Sequence, residues 1–177
     1  MSTALEIAKA IIAKNPRETG RNTDHGGIID KVLQEVGLPP GNSWCAAFVS
    51  HCFRAAGAGQ HFPYSASSQA IMRWFKERDL FTYNAQDILK WNGAIGGWTE
   101  EDDPAHGHIF LIGGRKTLKF GSTLKLKSVL TEEGNTGPGG ERNGDGAYSR
   151  TRQVPVDLGH KLWFLNCEKI PGGRFWN

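Results

Sequence analysis

The sequence has too few cysteines to be held together by disulfides: three in 177 residues, Cys45, Cys52 and Cys167. That count excludes a small scaffold stapled by bridges. If Cys45 and Cys52 share a helix, their seven-residue spacing separates them by about 10 Å, too far for a bridge. No apolar run approaches the roughly 20 residues that a transmembrane helix needs, so no membrane insertion is expected. The opening Met1-Ser2-Thr3-Ala4-Leu5-Glu6-Ile7-Ala8-Lys9 lacks a basic n-region, an apolar h-region and a cleavage site. It predicts a chain made in the cytoplasm that reaches any outside target by a route reading no N-terminal signal peptide. Charge of one sign is scarce too: 21 Lys and Arg stand against 18 Asp and Glu, a net charge of +3. With no dense basic stripe, nucleic acid is not an expected partner, although the slight excess suits an anionic polymer. Internal repeats and low-complexity segments are missing, and the length fits one domain over residues 1–177.

What is present is a clear change of period along the chain. Residues 3–14 set Leu5, Ile7, Ala8, Ile11 and Ile12 at helical spacing, with Ser2 or Thr3 as the cap. Residues 28–36 repeat the pattern with Ile28, Ile29, Val32, Leu33 and Val36, and stop at Gly37. A third helix starts at Cys45 and ends near Gly57, and a fourth over 65–76 carries Ala70, Ile71, Trp74 and Phe75. Beyond it, 80–83 and 88–91 read as short strands, and 92–105 as a long loop holding Trp98 and four acidic residues. Residues 108–112, 126–131, 148–154 and 162–167 read as strands separated by glycine-rich turns. Helices first and antiparallel strands after them predict an α+β fold, with N-terminal helices packed against the sheet.

The third helix carries the chemistry. Pro39, Pro40 and Gly41 break the chain, and Asn42 and Ser43 are suitable N-caps for the apolar run that follows. Cys45 then falls in a first turn, where unpartnered amides and the helix dipole favour a thiolate. Cys52 lies on the apolar face and is read as core. A thiolate needs a base, and the base needs a third group to fix its tautomer. Among six histidines, His25, His61 and His160 fall in loops or at strand edges. His51 is six residues beyond Cys45, about 600° round the helix, and points away from it. His106 and His108 remain, and His108 opens a strand directly after Gly107, which admits a close backbone approach. His106 and His108 also read as a pair of metal ligands, though without a convincing companion pair. The third group should come from a neighbouring strand. By the two-residue period, Val129, Thr131, Glu133 and Asn135 share one face and Glu132 faces the other way, so Glu133 or Asn135 accepts from His108.

The run Trp44-Cys45-Ala46-Ala47-Phe48-Val49 with Ala56-Gly57, then Gly107-His108-Ile109, then Glu133-Gly134-Asn135-Thr136, then Arg142-Asn143-Gly144-Asp145-Gly146 with Tyr148 and Arg152, resembles a CHAP domain. These are the cysteine amidohydrolase/peptidase branch of the papain-like, NlpC-type cell-wall hydrolases. The resemblance runs from about Asp24 to Cys167. It implies a papain-like fold with Cys45 as nucleophile, His108 as general base, and Glu133 orienting His108 with Asn135 nearby. It implies bacterial peptidoglycan as substrate, cut at an amide of the stem peptide by an amidase or an endopeptidase. Two departures stand out. Some members carry an aspartate-rich calcium loop before the cysteine, and Pro39-Pro40-Gly41-Asn42-Ser43 is unlike it, so no metal and no cofactor is expected. Where the family usually has Pro-Gly-Asp, this chain has Ala85-Gln86-Asp87.

Trp44, Tyr64 and Trp98 are candidate groove walls. A monomer is expected, acting in the periplasm or cell wall after release through a holin or delivery by a secretion apparatus. In the second case a producer immunity protein that plugs the cleft is expected as partner. The other enzyme class compatible with these residues is a protein deamidase or transglutaminase-like enzyme.

Overall fold

The computed structural model describes residues 2–103, 105–139, 143–154 and 160–170. Arg142 and the side chain of His160 lie outside the described residues. Four α-helices come first among these: α1 (Ala4–Ile12), α2 (Ile28–Glu35), α3 (Cys45–Ala55) and α4 (Ser68–Lys76). Strands β1 (Phe81–Thr82), β2 (Ala94–Glu100), β3 (Gly107–Phe120), β4 (Thr123–Thr136), β5 (Gly146–Gln153) and β6 (His160–Asn166) follow. They form one antiparallel sheet in the order β1-β6-β2-β3-β4-β5. The expected α+β arrangement is therefore present.

The ends of the helices follow their sequences unevenly. Thr3 caps α1 in a full capping box with Glu6, satisfying two orphan amides reciprocally. Ser67 accepts from the Ala70 amide at the start of α4. At α3 the expected caps are used elsewhere. Asn42 donates back to the Pro39 carbonyl, Ser43 donates to Asn143 Oδ1 at 2.9 Å, and Trp44 occupies the cap position without a side-chain capping bond. The first amides of α3 are thus left for something other than a cap.

α3 is the axis of the core. Cys45 to Ser50, Cys52 and Phe53 are all buried, packed among α1, α2, α4 and the sheet residues Ile95, Ile109, Leu111, Trp163 and Leu165. Alternate strand residues face the other way. Trp98, Phe110, Ile112, Val129 and Phe164 form a second cluster, covered by Ile88 of a 3-10 helix at Ala85–Lys90. The strand expected at 88–91 is thus helical, because Asn84 Oδ1 accepts from the Gln86 amide and turns the chain.

The loop expected over 92–105 is corrected more substantially. Its residues 94–100 are β2, an inner strand between β6 and β3. The glycines that suggest a turn there make room for aromatic rings. A Cβ on Gly96 would meet Phe110 Cε2 at 2.4 Å, and one on Gly97 would meet Trp163 at 2.2 Å.

Candidate active site

The site forms where α3 meets the start of β3 and the end of β4. β3 and β4 pair from Phe120–Thr123 down to Leu111–Glu132, and over 107–111 the ladder partner of β3 is β2. Two glycines bring the elements together. A Cβ on Gly107 would lie 2.3 Å from the Trp98 carbonyl, and one on Gly134 would lie 2.6 Å from the Trp44 ring and 2.7 Å from Phe48. Each position therefore needs glycine for space.

His108 is 1% exposed, and its Nε2 lies 2.9 Å from Glu133 Oε2. Trp98 and Phe110 flank the ring at centroid distances of 5.9 and 6.1 Å. With Nε2 committed to Glu133, Nδ1 is the nitrogen left to face the Cys45 thiol, and it has no other hydrogen-bond partner among the described residues. Glu133 is fully buried, and four hydrogen bonds from three residues converge on it. Beside His108, Arg152 donates through Nε to Oε1 at 2.6 Å and through Nη2 to Oε2 at 2.5 Å, and the Thr131 hydroxyl donates to Oε1. A bidentate guanidinium fixes both the charge and the plane of the carboxylate.

The electrostatics follow from these contacts. Burial acts to raise the Cys45 pKa, but the hydrogen bond and charge of His108 and the amides of Ile109 and Ala46 outweigh it and hold the thiol below its ordinary value. Burial acts to lower His108, but Cys45 and Glu133 raise it to about 9. Burial acts to raise Glu133, but His108 and Arg152 bring it down to about 2. All three shifts favour a thiolate–imidazolium–carboxylate chain. The other two thiols differ: burial pushes Cys52 and Cys167 well above the ordinary thiol range.

Of the expected site residues, Cys45, His108 and Glu133 are brought together. Asn135 is not bonded to His108. It sits at φ 55° in the bulge between Glu133 and Thr136, and its amide nitrogen donates to Asn143 Oδ1 at 3.3 Å. Between the two alternatives left open by the strand period, the geometry selects Glu133. Glu132 faces away, as expected, and accepts from Ser149. His51 also points elsewhere, its Nδ1 lying 2.8 Å from Glu35 Oε2.

The three aromatic groove candidates are not at an open groove. Trp44 is buried, with its indole N–H donating to Glu18 Oε1 at 2.9 Å. Trp98 is buried in β2 over the His108 ring. Tyr64 packs on Phe62 beneath the Arg54 guanidinium, away from the cleft lining. These side chains are walls of the core, and Trp98 also positions the histidine.

The cleft above Cys45, about 140 Å³, is lined instead by small and neutral polar groups, among them Ser43, Ser67, Ser68, Gln69 and Asn143, with His106 at its edge. A larger concavity of about 710 Å³ beside Trp74 and Arg78 holds no cysteine and none of these three groups.

His106 and His108 do not form a metal pair. His106 Nδ1 is 2.5 Å from Asp103 Oδ2 at the surface, whereas His108 turns inward to Glu133. Glu100, Asp103 and His106 do bring donor atoms within 4.8 Å of one another. They are exposed or half-buried, as solvated acidic residues commonly are. His106→Ala is expected to retain most turnover, and a chelator to leave the wild type active. Loss of activity in both, restored by zinc, would make this cluster functional.

Arg152 is the residue whose role sequence reasoning did not assign. The period of β5 places it on the face of Tyr148, but the ladder sets it opposite Val129, and only the length of its side chain brings it to Glu133.

No protein-family model, curated protein or solved structure matches this chain.

Proposed function

We propose that the protein is a papain-like cysteine amidohydrolase of the CHAP type, cutting an amide bond of the peptidoglycan stem. The observation that carries this reading is the buried chain Cys45–His108–Glu133, with the thiol at an uncapped helix N-terminus beneath a cleft. The Cys45 thiolate attacks the carbonyl carbon, forming a C–S bond as the C=O π pair moves to the oxygen, and the Cys45 and Ala46 amides donate to that oxyanion. The C–N bond then breaks as His108 gives its Nδ1 proton to the leaving amine. Water attacks the thioester while His108 takes one of its protons, and the thiolate departs unchanged. Glu133 holds Nε2–H throughout, so Nδ1 remains the working nitrogen.

This mechanism predicts a pH–rate profile with two limbs. Turnover rises as Cys45 deprotonates below the usual thiol range and falls as His108 loses its proton near pH 9.

Among stem bonds the reading favours the N-acetylmuramoyl-L-alanine amide, since the resemblance so often implies that linkage. Mass spectrometry of digested sacculi tests it. New L-alanine N-termini and peptide-free glycan are expected, whereas shortened or un-cross-linked peptides still joined to muramic acid would make the enzyme an endopeptidase. Inertness toward purified sacculi together with glutamine deamidation in a protein substrate would replace the wall reading with the deamidase one. Access to the wall implies action in the periplasm or cell wall, as a phage lysin or an injected effector, with an immunity protein as partner in the second case.

A further inference from the structure

The hairpin of β3 and β4 extends well beyond the rest of the sheet. Among the described residues, β3 past Leu111 has β4 as its only ladder partner, and β4 before Ser128 has only β3. The base of the ribbon is also tied down by buried Leu126 in the second cluster, by Gln86, which accepts from the Leu126 amide at 2.9 Å, and by the Val154 amide on the Lys127 carbonyl. An isolated two-stranded ribbon is marginal in water, so its exposed side chains call for an explanation.

Those side chains are unlike the rest of the surface. Among the described residues, the exposed large hydrophobics are Tyr83, Leu118, Phe120, Leu124 and Leu130, and all but Tyr83 belong to this hairpin. Residues 112–131 also hold five cations, Arg115, Lys116, Lys119, Lys125 and Lys127, and no acidic residue. That local charge exceeds the +3 of the whole chain. No described carboxylate pairs with any of the five. Arg115 Nε and Nη2, at the base of the ribbon, are shut from solvent without a hydrogen-bond partner among the described residues.

Lysines on unpaired strands serve to repel neighbouring strands, which argues against a second copy of the chain here. They leave the apolar groups unexplained. The register puts Leu118 beside Lys125 on one face and Leu124 beside Lys119 on the other, while Phe120 at the turn shares the first face. Both faces of the tip are thus apolar and cationic together. A folded partner would cover one face, whereas a fluid interface accepts both. Apolar groups at the turn and lysines around and behind it match the depth profile of an anionic phospholipid surface, with ammonium groups reaching back to the headgroups.

We propose that the β3–β4 hairpin docks tip-first on anionic phospholipid surfaces. The contact is peripheral, made by the turn and its flanks, and involves no spanning segment. At about 3.3 Å per residue, the twelve residue steps from His108 to Phe120 hold the catalytic cleft up to roughly 40 Å from that surface.

Co-sedimentation of the whole chain with vesicles tests this separately from the wall chemistry. Vesicles of equal parts phosphatidylcholine and phosphatidylglycerol should bind it, and phosphatidylcholine alone should bind it at least about tenfold more weakly. The triple variant Lys116→Gln/Lys119→Gln/Lys125→Gln should lose the preference, at about fivefold per lysine. Leu118→Ser/Phe120→Ser/Leu124→Ser keeps every charge and should still bind about tenfold or more weakly. Both variants change exposed residues and should keep the wild-type far-ultraviolet circular dichroism and turnover of purified sacculi. No binding to the mixed vesicles would overturn the proposal. So would undiminished binding by the serine variant, which would mean simple polyanion attraction. Equal affinity for soluble polyglutamate would point to an acidic protein as the occupant instead.

Discussion

Replacing Cys45 with alanine is expected to lower turnover of purified peptidoglycan on the order of 10⁴-fold or more, to background, with the fold intact. The size of the effect follows from the site. Nothing else in the cleft is a nucleophile of comparable strength, since Ser43, Ser67 and Ser68 line it without a base bonded to their hydroxyls. The structural cost is small because one sulfur atom is removed from a packed first turn, about 1 kcal/mol. Cys45→Ser tests the same step differently. It fills the volume but leaves a hydroxyl that does not ionise beside His108, and it should be nearly as inactive. Iodoacetamide labelling gives an independent readout. Cys45 should be modified at neutral pH, while Cys52 and Cys167 stay unlabelled because both are buried and their thiols are pushed up by burial. Normal turnover in Cys45→Ala, or preferential labelling of Cys52, would end the nucleophile assignment.

The elements legible in the sequence were those whose side-chain period reports one buried face. α1, α2 and α4 are amphipathic, and their ends agree with the expected caps and glycines within a few residues. Cys45 and His108 were legible because each follows a break that sets it at the start of an element, Gly41 upstream of α3 and Gly107 before β3. Glu133 was legible up to a choice with Asn135, and that choice turns on a bulge that no period encodes. β2 was hidden because Gly96 and Gly97 serve packing against Phe110 and Trp163, residues far away in sequence. The aromatic residues misled for a related reason. A tryptophan beside a candidate site residue suits either a groove or a core, and only the sheet order sets Trp98 against the His108 ring. The hairpin charge was invisible in the overall balance, because acidic residues elsewhere in the chain nearly cancel it.

Glu133→Gln should reduce turnover roughly ten- to a hundredfold, the worth of a hydrogen bond to a charged imidazole. It also leaves the Arg152 guanidinium without its carboxylate, and breaking such a largely buried pair costs about 3–5 kcal/mol. The pH dependence separates these effects. Glu133 has a folded pKa of about 2 against an ordinary 4.5, so its stabilisation is present above pH 4.5 and is lost as pH falls from there toward 2. That linkage amounts to about 3 kcal/mol and should be missing from urea unfolding of the Gln variant between neutral and acid pH. His108 has the opposite sign: raised to about 9, it contributes below its ordinary 6.5 and loses that contribution as pH rises through 9. Removing the Glu133 charge lowers the His108 pKa, so the alkaline limb of the Gln variant moves toward neutral pH. Arg152→Gln should move the limb the other way. Without the guanidinium, Glu133 turns its full charge on the imidazole, and the cation that repels the protonated ring is gone. Opposite displacements from two variants of one ion pair are what a purely structural role would not produce. If both variants merely lose activity at every pH, with the limb unmoved, Glu133 and Arg152 hold the fold and do not tune the base.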